Sequence, residues 1–87
     1  MNKEIMHIIR EKMLKEMSEV IRGSIECWFD EDIINVRVSK NNDIIFEYKI
    51  TDVLNLVTDG CSAKELAARV VMAYKKKILT EFFIKQI

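Results

Sequence analysis

The chain has 87 residues, enough for one domain and too few for two. Hydrophobic residues make up 49% and charged residues 32%, a globular composition that excludes a disordered chain. Fourteen basic groups balance fourteen acidic ones, which excludes a strongly basic nucleic-acid binder of the usual kind.

The zero net charge hides an asymmetry. Residues 1–22 carry five basic and four acidic groups, residues 23–60 three and eight, and residues 61–87 six and two. An acidic middle and a basic end attract each other between copies, or form separate solvated faces. Two glycines and no proline predict regular elements with short connections. A single core in so short a chain is only marginally stabilising, so self-association is expected.

Residues 3–22 read as an amphipathic helix, with apolar groups at Ile5, Ile9, Met13, Met17 and Val20, and Gly23 as its C-terminal cap. Charges run through the apolar residues of "MNKEIMHIIREKM", which is read as neither a signal peptide nor a membrane span. Met6, Met13 and Met17 line one side and are assigned to core packing.

The period then changes to two. In residues 24–29 Ile25, Cys27 and Phe29 point one way, with Glu26 and Trp28 opposite. Asp30-Glu31-Asp32 is a tight polar connection, read as a solvated turn rather than a cation site. In residues 33–39 Ile34, Val36 and Val38 share a face. A second turn follows at 40–43, where Asn41 and Asn42 tolerate the left-handed conformation. In residues 44–50 Phe46, Tyr48 and Ile50 share a face, with Ile45, Glu47 and Lys49 opposite. Together these predict a three-strand antiparallel meander with Glu26, Arg37, Glu47 and Lys49 paired across its outer face. Trp28 on that face, with Ile33 and Ile45, marks a small contact patch.

Residues 51–58 read either as a short helix capped by Thr51 or Asp52, or as a continued third strand; the helix is preferred. Ser62 and Glu65 form the capping-box pattern that opens the last helix. The expected fold is α+β, a single domain over residues 1–87. A three-stranded antiparallel sheet carries an N-terminal and a long C-terminal helix on one face, with a short extra helix before the last.

An α-β-β-β-α order with "GCSAKELAA" at residues 60–68 resembles the double-stranded RNA-binding domain over nearly the whole chain. The resemblance implies that fold, and it implies a phosphate contact at Lys64. Ala63 and Ala67 stand where the family's other lysines would be, and Asp30-Glu31-Asp32 occupies the loop that enters an RNA minor groove. The residues 51–58 before the last helix are a further departure from the family's order.

On a wheel of about 100° per residue, Ala63, Leu66, Ala67, Val70, Val71, Tyr74 and Ile78 fall within one arc of roughly 140°. The polar side offers Lys64, Arg69, Lys75 and Lys76 as nucleic-acid candidates. After Ile78 the pattern breaks, and Leu79, Phe82, Phe83, Ile84 and Ile87 spread around the helix. A helix end apolar on several sides needs more than one surface to pack against. These five residues are therefore the interface candidates of a homo-oligomer, a dimer in the first instance, or of a complex with another protein.

No chemistry is expected. His7 is the only histidine, and Cys27 and Cys61 have neither a C-x-x-C spacing nor a nearby histidine, so no metal or cofactor is called for. Cys61 precedes a helix N-terminus, where a thiolate is favoured, but sequence places no base beside it. A phosphate-binding glycine loop is also missing. The expectation is a small, non-enzymatic binding or accessory protein of the bacterial cytoplasm, without membrane association, acting through homo-oligomer or protein contacts. The alternative is a nucleic-acid-binding accessory protein using the basic face of the last helix.

Overall fold

In the computed structural model, which describes residues 1–86, the first element is α1, Lys3–Ser18. Its first turn is held by Asn2, whose Oδ1 accepts from the Ile5 amide at 2.8 Å. The buried row is Ile9, Met13, Met17 and Ile21, an unbroken four-residue spacing, and Met13 and Met17 lie in the core as their spacing implies. Val20 falls off this row and is exposed, as is Ile5. The helix ends four residues earlier than its apolar pattern predicts. Met17 O then accepts from both Val20 and Ile21, which turns the chain while keeping Ile21 in the core.

Gly23 has a positive φ, +136°, as expected, but it is not the helix cap. A Cβ there would stand 2.8 Å from the Ser39 carbonyl oxygen and 3.2 Å from Val38 Cγ1. Glycine is required because the backbone passes hard against β2 on entering the sheet.

The sheet comprises β1 (Ser24–Asp30), β2 (Ile33–Lys40) and β3 (Asp43–Ile50), antiparallel in the order β1-β2-β3. Asn41 and Asn42 both take positive φ in the second hairpin turn, and Glu31 does so in the first. Cys27, Ile34, Val36, Val38, Phe46 and Ile50 make the inner face. On the outer face Arg37 stands opposite Glu26 and Glu47, with its Nε 3.5 Å from Glu47 Oε2 and its guanidinium 5.2 Å from the Trp28 ring centre.

One irregularity changes the reading of β3. Val38 pairs with Phe46 but Ser39 pairs with Ile44, so Ile45 is the extra residue of a bulge. Strict alternation placed Ile45 on the outer face; the bulge instead packs it against the core and leaves Ile44 exposed.

Residues 51–58 do form the short helix, α2, over Val53–Thr58. Its cap is not local. Asp52 sits in the left-handed region and its side chain caps nothing. The caps come from the first hairpin: Asp32 Oδ1 accepts from the Leu54 amide at 2.7 Å, and Asp32 O accepts from Val53 at 3.2 Å. The acidic turn therefore contains one structural residue. Asp32→Ala is expected to lower stability by about 1 kcal/mol and Asp30→Ala by less than about 0.5 kcal/mol, as read by urea unfolding.

At the other end of α2, Gly60 has φ +96°. The Cys61 amide donates to Leu56 O and the Gly60 amide to Val57 O, the paired bonds that close a helix on glycine. The last helix, α3 (Ala63–Gln86), opens on Ser62, whose Oγ accepts from the Glu65 amide at 3.1 Å. The reciprocal half of the capping box differs from expectation: the Glu65 carboxylate meets the Ser62 hydroxyl, not its amide.

Both main helices lie on one face of the sheet, as the α+β reading expects. Leu66, Ala67 and Val70 of α3 are buried, and Tyr74 meets Phe46 edge-on at 5.5 Å. No helix among the described residues is long and apolar enough to cross a membrane.

Candidate interaction surface at the end of the last helix

At about 1.5 Å per residue the 24 residues of α3 span roughly 36 Å, while the molecule measures 46 × 26 × 21 Å. The helix outruns what it packs on. Its last buried residue is Val70 and its last half-buried one is Tyr74; from Lys75 to Gln86 every residue is exposed. Ile78, expected on the core arc, lies beyond the point where the body ends and is exposed with the rest.

Large apolar side chains are exposed along this stretch and just before it. Met72, Ile78, Leu79, Phe82, Phe83 and Ile84 are between 43% and 72% exposed. Phe82 and Phe83 contact each other, ring centres 6.0 Å apart and edge to face. Four of the five interface candidates, Leu79, Phe82, Phe83 and Ile84, are thus placed together on one projecting helix end; Ile87 lies outside the described residues.

Two shallow grooves flank a ridge made by Lys75 and Leu79. One, of ≈ 380 Å³, is walled by Val20, Arg22, Tyr74 and Ile78. The other, of ≈ 370 Å³, is walled by Met72, Lys76, Thr80 and Phe83. The Val20 wall was not legible in sequence, because it depends on α1 ending early and turning Val20 toward α3.

Lys64, Arg69, Lys75 and Lys76 are all exposed on α3. By helical spacing Lys64 and Lys75 share one side, and Arg69 and Lys76 another about 100° away. Lys77 is different, because its Nζ donates to the Ile45 carbonyl at the β3 bulge and lies 3.8 Å from Glu81. A cation at the border of the apolar arc was the signal for that role. At the other edge of the sheet, Arg10 Nε donates to the Cys27 carbonyl of β1 at 2.6 Å.

The chemistry-bearing residues are scattered. His7 is exposed on α1, Cys27 is buried in β1, and Cys61 is half-buried between α2 and α3. No group of three His, Cys, Asp or Glu among the described residues is placed to hold a metal. Burial pushes the Cys27 thiol up to about 11, an effect that nearby Arg10 opposes and Glu11 reinforces. Stability linked to this thiol is complete below its ordinary value of 9.0 and declines as pH rises toward 11, because the unfolded thiol loses its proton first. At pH 8 a maleimide is expected to modify Cys61 and to spare Cys27 until the protein unfolds, as counted by mass spectrometry.

These features define an α+β domain with an unpartnered helical end. No family model, curated protein or solved structure matches the chain.

Proposed function

We propose that this protein is a non-enzymatic binding module that works as a homo-oligomer, with residues 78–86 of α3 as the core of its interface. The observation that carries the reading is a helix end that leaves its own domain carrying Ile78, Leu79, Phe82, Phe83 and Ile84 uncovered. Exposed apolar side chains gathered on one helix end of a small domain mark a site of association. Lys75, Lys76 and Lys85 rim it and keep it soluble when uncovered. Free Cys27 and Cys61 suit a reducing, cytoplasmic setting.

Light scattering on the purified protein tests this, at low and high salt, alone and with mixed double-stranded RNA and DNA. The expected result is a dimer or larger that resists salt and gains no mass from nucleic acid, because apolar burial is not screened. A monomer that gains mass with nucleic acid only at low salt would overturn it. Phosphate contacts by Lys64, Arg69, Lys75 and Lys76 would then be the working surface.

A further inference from the structure

We infer that the occupant of this surface is a second copy of the chain, docked antiparallel along α3 on a two-fold axis near Leu79, so that Phe82 and Phe83 of each copy lie over Lys75 and Lys76 of the other. The inference rests on the homo-oligomer reading and adds the partner, the axis and the orientation.

The first reason is the composition of the seam. Met72, Lys75, Leu79, Phe82 and Gln86 follow one another at three- and four-residue steps, with Phe83 four residues after Leu79, and all six occupy one arc of about 100°. Aromatic rings sit at one end of this seam and lysines at the other. Parallel docking would set Lys75 on Lys75 and Lys76 on Lys76. Antiparallel docking about Leu79 brings residue 82 level with 76 and 83 with 75, so each ammonium meets a ring face. It also leaves no lysine level with another.

Shape agrees with charge. The Lys75–Leu79 ridge has an apolar groove on each side, and a two-fold axis at Leu79 crosses the two ridges there, leaving the grooves beside them to take the ends of the partner's ridge. The area reaches the threshold: the four apolar side chains of the seam at roughly 100 Å² each, with Val20 and the lysine stems, bury about 1,000 Å² in total over both copies, the lower bound for a specific interface. Antiparallel docking also carries Lys85 of each copy back toward the other's body, where residues 23–60 hold eight acidic and three basic groups.

Paired nitroxide labels distinguish the arrangements. In a Cys61→Ser background, with buried Cys27 left in place, a single cysteine is introduced by Thr80→Cys or by Lys64→Cys. For antiparallel docking about Leu79 the Thr80 labels should lie within about 20 Å and the Lys64 labels about 45 Å apart. Short distances at both sites would mean parallel docking, overturning this inference and leaving the homo-oligomer reading intact. Long distances at both would place the interface away from α3, and a monomeric mass would overturn the homo-oligomer itself. Lys75→Gln gives an independent readout. It should weaken the dimer about two- to fivefold if the ammonium lies over a ring, and strengthen it if lysine faces lysine.

Discussion

Replacing Phe82 and Phe83 together by glutamate is expected to convert the proposed oligomer to a monomer and to leave the helix and sheet content unchanged. Both rings are more than half exposed, they contact each other, and neither packs against the core, so the fold should lose little. The proposed interface would lose its two aromatic anchors and acquire four buried carboxylates per dimer. Truncating one such anchor typically costs about 2 kcal/mol or more, so the dissociation constant should rise at least about 100-fold. Light scattering gives the mass and far-ultraviolet circular dichroism the fold. An unchanged mass with an intact fold would remove the end of α3 from the interface.

Leu66→Ala should have the largest effect on stability. Leu66 is fully buried where α3 crosses the core shared with α1 and the sheet. Deleting its methyl groups leaves a cavity costing about 3 kcal/mol, in a domain whose whole stability is on the order of 4–13 kcal/mol. With a urea slope of about 1 kcal/mol per molar, the midpoint should fall by roughly 2–3 M at fixed protein concentration. Leu54→Ala, on the exposed side of α2, should shift it by less than about 0.5 M. Equal effects of the two substitutions would mean that the core does not centre on α3.

The order of elements was legible because each pattern was local. Alternation in residues 24–29, 33–39 and 44–50 gave the three strands, and Ser62 with Glu65 gave the start of α3. What escaped was tertiary. No local signal tells that Asp32 caps α2 from twenty-two residues away, or that a bulge turns Ile45 inward. The early end of α1 was missed because Val20 and Ile21 both extend an apolar stripe and only packing chooses between them. That the apolar end of α3 is left uncovered by its own sheet was legible for a simple reason: an apolar pattern that stops following one face cannot be served by one sheet. How far α3 outruns its body was not, since that depends on where α1 and β3 end.

The two cations that reach the sheet have a consequence for whether copies can add to its edges. Arg10 occupies a carbonyl of β1 and Lys77 a carbonyl at the bulge of β3, so each outer strand carries a charged side chain where another strand would have to pair. Strand addition is open-ended, and each copy that joins offers a fresh edge to the next. A two-fold helical contact consumes its own surface and stops at two. With both outer strands guarded, growth by accretion into fibres is disfavoured, which would suit the closed two-fold assembly proposed above.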